Sequence, residues 1–527
     1  MSLLRAVTTM GSLTMVSRVL GFVRDVLMAR ILGAGAMADC FVIAFKLPNL
    51  MRRLFAEGAF SAAFVPLFSG YLEQGEDGPA ARRAAALRFA EDALAVMVTA
   101  LVALVALAQI FMPWVILVLG AGFADNQAKY DLAVVLSRLT FPYLLFISLV
   151  SLLGGVLNAF HRFAAVAATP VLLNLVLILS LLFFDETLQT PAHALAVGVS
   201  VAGAAQLLWL LLACRREGIL LKLRLPRLTP DIKRLFVLMV PVAVGAGAYQ
   251  VSLFIDTFLA GFLADGSIAF LYYADRLNQL PLGVIGVAIG TALLPMLSRT
   301  LSAGDDASAR ASQNRAVEIA LLATLPAAAA LILFPDVLVR VLFERREFTP
   351  AMTAATADAL AAFAIGLPAY VLVKVFSPGY FARKDTKTPV RYAMTALGVN
   401  VVLNLILMFP LKHVGLALAT SISAWLNAGL LMRGLYRRGD FAPDTRLRHR
   451  VPRILGATVL MMGACWGLLQ VLAPWFGRGT ASALLALALL VTGGMVAYGV
   501  SAFGLGAMTR ADLALVRRRP PSSLPPA

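Results

Sequence analysis

The chain is poor in the residues that soluble catalysis usually needs. Its 527 residues include four histidines and three cysteines. Cys40, Cys214 and Cys465 are scattered through apolar stretches, which excludes a disulfide framework and thiolate metal spacing and leaves packing as their role. The histidines show no metal spacing either. No G-x-x-x-x-G-K occurs, so no nucleotide-driven step is encoded. Charged residues reach only 14% against 60% hydrophobic, with a mean hydropathy of +0.86, and this excludes a soluble globular protein. No loop is long enough to hold a folded soluble domain.

What fills the chain is apolar runs of about 20 residues, each enough to cross about 30 Å of hydrocarbon. The opening residues MSLLRAVTTM lead into a long stretch that contains arginines and lacks a small-residue cleavage site, so the first helix is expected to be retained.

The net charge of +17 would suggest nucleic acid in a soluble protein, but its distribution points elsewhere. Alternate loops collect the cations, among them Arg82, Arg83, Arg215, Arg216, Arg383, Lys384, Arg446, Arg448 and Arg517 to Arg519. The opposite loops hold few (Lys129, Arg345, Arg346, Lys412, Arg478) beside acids such as Asp125, Asp185, Glu186 and Asp265. By the positive-inside rule both termini are expected in the cytoplasm, with the basic loops meeting anionic lipid and no nucleic acid as partner.

The apolar runs predict an all-α integral membrane protein of about fourteen transmembrane helices. An internal repeat organises them. Helix 2 carries Ala44 to Pro48 (AFKLP) and helix 8 carries Ala274 to Asn278 (ADRLN), aligning Lys46 with Arg276. LLNLVLIL (Leu172 to Leu179) is mirrored by VLNLILMF (Val402 to Phe409). The repeat unit is six helices, so the two copies enter the membrane in the same sense, as parallel MATE-like lobes with a site expected between them. The expected division is an N-lobe at 1–214, a linker at 215–234, a C-lobe at 235–436, a second linker at 437–453, two C-terminal helices at 454–506 and a tail at 507–527.

The segment from Gly11 to Ser69 stands out because it spans two apolar helices yet carries Arg18, Arg24, Asp25, Arg30, Asp39, Lys46, Arg52, Arg53 and Glu57. An ionised side chain at the bilayer centre costs at least about 2.5 to 3.5 kcal/mol, so these groups must face water, a polar ligand or each other. Asp39, Lys46, Arg53 and Phe60 fall on one heptad-spaced stripe of a continuous helix 2, with Glu57 one turn beyond Arg53. Arg18 and Asp25 share a face of helix 1 in the same way.

Cations outnumber anions, and arginine forks bind phosphate oxygens bidentately, so the pattern suits an anionic ligand. Blander roles exist for several members. Arg24 and Arg30 lie near the outer end of helix 1, within reach of the interface. Asp39 has the position of an N-cap for helix 2, and Asp25 that of a partner for a nearby arginine. Asp275 and Arg276 have each other as the nearest charges. Asp256 and Lys374 stand alone in their helices, and Gly283, Gly286 and Gly290 read as close helix packing.

With this pattern assembled, the chain resembles the MurJ (MviN) family of lipid II flippases, in the superfamily that includes MATE-type multidrug exporters. The resemblance is carried by SRVLGFVRD at Ser17 to Asp25, the run from Phe45 to Phe68, Tyr272 to Pro295, and ARKDTKTPV at Ala382 to Val390. It implies a transporter of the bacterial cytoplasmic membrane that moves lipid II, a polyprenyl-pyrophosphate-linked peptidoglycan precursor, to the periplasmic leaflet by alternating access through a cationic cavity, with no cofactor. The family's cavity arginines match at Arg18, Arg24, Arg52 and Arg276, with Asp25, Asp39, Arg53, Glu57 and Asp275 as supporting positions. Lys46 joins the supporting set as the repeat equivalent of Arg276, and Asp256 and Asp385 are the weak candidates for a coupling cation.

Charge alone leaves open a flippase for another polyprenyl-pyrophosphate saccharide. A MATE-like exporter of cationic amphiphiles should have an acidic cavity. An intramembrane phosphatase or glycosyltransferase would need a carboxylate pair or metal cluster near a membrane face.

Overall fold

The structure, a computed structural model, describes residues 3–53, 60–73, 78–184 and 188–509, apart from the side chains of 3–8, 241–253, 284, 287, 288 and 291. Glu57 lies outside the described residues, as do Asp185, Glu186 and Arg517 to Arg519.

The described chain is helical and divides into two compact units. Unit 1 comprises Met1–Tyr272 and Phe343–Met352, and unit 2 comprises Tyr273–Leu342 and Thr353–Ala527. Unit 1 holds α1 (Leu3–Leu32), α2 (Ala36–Met51), α3 (Ser61–Glu73), α4 (Pro79–Leu119), α5 (Gln127–Thr140), α6 (Tyr143–Ala159), α7 (Phe163–Phe183), α8 (Pro191–Arg216) and α9 (Pro230–Ala260), with the start of α10 (Ser267–Ser302). Unit 2 holds the rest of α10, α11 (Asp306–Leu333), α12 (Pro335–Phe343) up to its last residue, α13 (Pro350–Phe381) from Thr353, α14 (Lys387–Arg437), α15 (Thr445–Phe476) and α16 (Thr480–Gly504). Among the described residues nine helices are long and apolar enough to cross a membrane.

Local chemistry sets the helix ends. Gly33, at φ +66°, stops α1, and a Cβ there would come within 2.6 Å of the Glu347 carbonyl oxygen. Asn126, Thr190, Thr229, Asp305 and Asp444 cap α5, α8, α9, α11 and α15 through their side-chain oxygens. The Asp444 cap starts α15 at Thr445, so residues expected in the second linker are already helical.

α4 has 41 residues, a length of about 60 Å at 1.5 Å per residue and roughly twice the hydrocarbon thickness. Within its first four turns the buried Glu91 accepts from the Lys222 backbone N–H at 3.0 Å and pairs with Arg224 Nε at 2.6 Å. That contact docks the non-helical connector between α8 and α9 on unit 1. α14 is broken at Lys412, whose φ of 51° no helix tolerates. Asn400 Nδ2 lies 3.5 Å from Thr420 Oγ1, although twenty residues of straight helix would span about 30 Å. The chain therefore folds back there, and α14 is two antiparallel helices.

In an aromatic column, Phe64 stacks on Phe60, Phe68 and Phe89 with centroids 5.0, 5.5 and 5.5 Å apart, and the Phe89 contact packs α3 against α4 in unit 1. Phe376, Tyr380, Leu431, Leu435 and Phe441 belong to the core of unit 2, where the Tyr380 hydroxyl donates to the Leu431 carbonyl at 2.8 Å.

Candidate substrate-binding site

Arg24 is buried, not extended to the interface. Its Nε and Nη2 donate to Asp25 Oδ1 at 3.1 and 2.7 Å, and its Nη1 donates to Asn174 Oδ1 on α7 at 3.0 Å. Asp25 Oδ1 also accepts from the Tyr272 hydroxyl at 3.0 Å. Asn174 is itself fixed, since its Nδ2 donates to the Ser17 and Pro170 carbonyls at 3.0 and 3.1 Å. At Gly21 a Cβ would sit 3.5 Å from the Asn174 amide, an ordinary contact distance, so α1 and α7 pack closely there. Arg24 is thus held by charge on one side and by an amide on the other. Asp25 takes its adjacent arginine as partner.

Arg18 is exposed and lines a cavity of about 240 Å³ with Thr14, Ser17, Asn158, Phe163 and Pro170. That is smaller than the usual ligand pocket of about 300 to 1,000 Å³ and suits a phosphate-sized group. Arg30 is exposed at the end of α1.

The expected stripe on helix 2 is not continuous. α2 ends at Met51 and the chain winds more widely through Arg52 and Arg53, as in a π-type turn. Arg52 is half-buried and donates from Nε and Nη2 to Asn49 Oδ1 at 2.9 and 2.7 Å, whereas Arg53 is exposed and Phe60 is packed in the aromatic column. Lys46 donates through Nζ to Thr257 Oγ1 on α9, beside Asp256.

Asp39 does not cap its own helix, whose N-cap is Gly35. It caps α10, accepting from the Gly266 and Ala269 N–H groups at 2.8 and 2.9 Å. Its other partner is Lys129, which reads in the sequence as an ordinary loop cation and is buried here. Lys129 Nζ lies 3.1 Å from Asp39 Oδ2, 2.7 Å from Asp265 Oδ1 and 4.1 Å from the Phe123 ring centroid. No local signal marks Lys129, because its two acids lie 90 and 136 residues away.

Asp275 and Arg276 belong to unit 2, both half-buried on α10. Asp275 accepts from Gln279 one turn on, so Arg276 is not its sole neighbour. Lys374 lies over Gly286, where a Cβ would come within 3.1 Å of its Nζ, so this glycine gives space to a cation as well as to a helix. Asp385 accepts from the Thr388 N–H at 2.9 Å and pairs with Arg438 at 2.7 Å, which makes it a cap for α14 and not an open cation ligand. Among the described residues no three His, Cys, Asp or Glu side chains are grouped to hold a metal.

The helical fold is the one shared by transporters of the MOP superfamily. An inward-facing multidrug MATE transporter superimposes with a TM-score of 0.61 over 82% of this chain and 97% of that one, at 15% identity. The inward closed structure of the lipid II flippase MurJ superimposes more fully, with a TM-score of 0.77 over 94% of this chain and 97% of that one, at 25% identity. The family profile described as lipid II flippase MurJ matches residues 28–487. The probable lipid II flippase MurJ of Rhizobium tropici is 42% identical over 98% of this chain and 96% of its own. The lipid II flippase MurJ of Burkholderia cenocepacia is 36% identical over 88% of this chain and 89% of its own. The chain belongs to the MurJ family of lipid II flippases, transporters of the bacterial inner membrane.

Proposed function

We propose that the chain carries the lipid II headgroup across the membrane by alternating access, with Arg18, Arg24, Arg52 and Arg276 holding its anionic groups. The transport follows from the family: the chain is a lipid II flippase that moves the peptidoglycan precursor across the inner membrane. The roles of individual residues rest on their chemistry. The observation that carries them is Arg24, a buried guanidinium paired with the adjacent Asp25. A diphosphate approaching Arg24 competes with Asp25 for the fork and gains charge-assisted hydrogen bonds in a low-dielectric setting. Asn174, being neutral, keeps Nη1 in place while that exchange occurs. Arg18 offers a phosphate-sized recess and Arg52 a fork steadied by Asn49. Asp25, Asp39, Lys46, Arg53, Glu57 and Asp275 are the supporting positions in this reading.

The proposed topology has fourteen crossings: two parallel repeats of six, within 1–214 and 235–436, and two further helices within 454–506, with both termini cytoplasmic. α14, folded back at Lys412, supplies two of those crossings. The test is reconstitution of the full chain in proteoliposomes with labelled lipid II in the inner or outer leaflet. Passage of lipid II, unaffected by excess of a polyprenyl-pyrophosphate carrying a different saccharide, is expected. Efficient competition by that saccharide would favour the broader flippase reading.

A further inference from the structure

A charged cluster in unit 2 contains none of the residues assigned to the headgroup. On α11, Glu318 is almost fully buried, and three guanidiniums converge on it: Arg315 at 2.5 Å, Arg446 at 3.2 Å and Arg450 in direct contact. Arg446 and Arg450 lie in the first turns of α15, so the cluster also ties α15 to α11. One carboxylate faces three guanidiniums that never lose their charge, so the cluster is net positive.

The three arginines are not equivalent. The Arg450 side chain is 9% exposed, whereas those of Arg315 and Arg446 are 24% and 48% exposed. α15 starts at this level, and the N-terminal end of its dipole adds to the positive field. Ile319, beside Glu318 and one turn deeper than Arg315, is 46% exposed. The partly exposed cations therefore lie beside an exposed apolar side chain one turn along α11.

We propose that Arg315 and Arg446 form a binding site for the phosphate of an anionic phospholipid headgroup, with an acyl chain against the exposed Ile319 side chain. Glu318 and Arg450 hold the two forks in position. The assignment of this end to the cytoplasmic leaflet, where anionic lipid concentrates, rests on the topology proposed above. A merely structural clamp between α11 and α15 would have no preference for lipid charge.

The test is the thermal unfolding of the full chain in detergent micelles titrated with phosphatidylglycerol, phosphatidylcholine or inorganic phosphate. It requires neither a membrane orientation nor flipping, so its failure is separable from failure of the transport reading. Phosphatidylglycerol is expected to raise the midpoint more than phosphatidylcholine does, with inorganic phosphate ineffective. In the double variant Arg315→Gln/Arg446→Gln the half-saturating phosphatidylglycerol fraction should rise roughly fivefold per arginine lost. Arg446→Gln alone, the more exposed site, gives the same reading if the double variant does not fold. Lys233→Gln, a basic change elsewhere, should leave the titration unchanged. Equal midpoints in the two lipids, an unaltered titration in the Arg446 variant, or equal stabilisation by free phosphate would overturn the assignment.

Discussion

Arg24 on α1 and Asn174 on α7 are 150 residues apart in sequence and 3.0 Å apart in space. Asn174 spends its remaining donors on the backbone, so it is a rigid stop for the guanidinium and adds no charge. Asn174→Ala leaves one side of a buried charged donor unsatisfied, a change of about 1 to 3 kcal/mol. Flipping should fall by about an order of magnitude at unchanged membrane abundance. Arg24→Lys should fare no better, because an ammonium cannot reach Asp25 and Asn174 in the same planar geometry. Wild-type rates in both variants would remove Asn174 from the account.

Lys129 holds two acids from distant segments, and removing it strands Asp39 in a buried site. Lys129→Met should destabilise the protein by about 3 to 5 kcal/mol, and Asp39→Asn/Lys129→Met should recover part of that loss. A double-mutant cycle on unfolding midpoints reads the coupling directly. Additive losses would mean that the pair does not interact as the geometry requires.

Gly122 packs against the end of α9 so closely that a Cβ would lie 2.1 Å from the Gly261 carbonyl oxygen. Backbone cannot swing aside as a side-chain tip can, so Gly122→Ala should cost about 1 to 3 kcal/mol. Gly286→Ala, which meets the movable end of Lys374, should cost less. The reverse order of thermal stabilities would contradict this packing.

Asp385 supplies a pH dependence whose sign is fixed. The Thr388 backbone N–H, its hydroxyl and Arg438 hold the carboxyl well below the usual carboxylate range, at about 2 against 3.8. The ionised form is the one stabilised in the folded chain, so the contribution is complete above about pH 4 and is lost as pH falls toward 2. The stability difference between wild type and Asp385→Asn should be constant from pH 7 to 5 and shrink below 4. A difference that grows on acidification would refute the cap. Because the pair is partly exposed, the effect is small.

Local patterns made part of this molecule legible. Gly33 ends α1 by conformation, and the reversal at Lys412 falls beside Pro410, where the apolar run pauses. Helix 2 was harder to read, because heptad spacing assumes a regular helix and the winding changes at Arg52. Arg24 stood out as a cation in an apolar helix. Its partner Asn174 did not, since one amide among leucines carries no sign of what it meets. Lys129 and the capping role of Asp39 depend on the turn before α10, more than two hundred residues beyond Asp39. Spacing along one helix cannot report such pairings.

The central claim is that buried and cavity-lining arginines hold the transported headgroup. Its most direct test is rescue of a bacterium depleted of its own lipid II flippase by this chain, as wild type and as Arg18→Ala, Arg24→Ala, Arg52→Ala and Arg276→Ala. The readout is lipid II exposed in the outer leaflet at matched membrane abundance. Exposure restored by wild type and lost in the arginine variants is the predicted result, and full exposure in variants lacking Arg24 would contradict it.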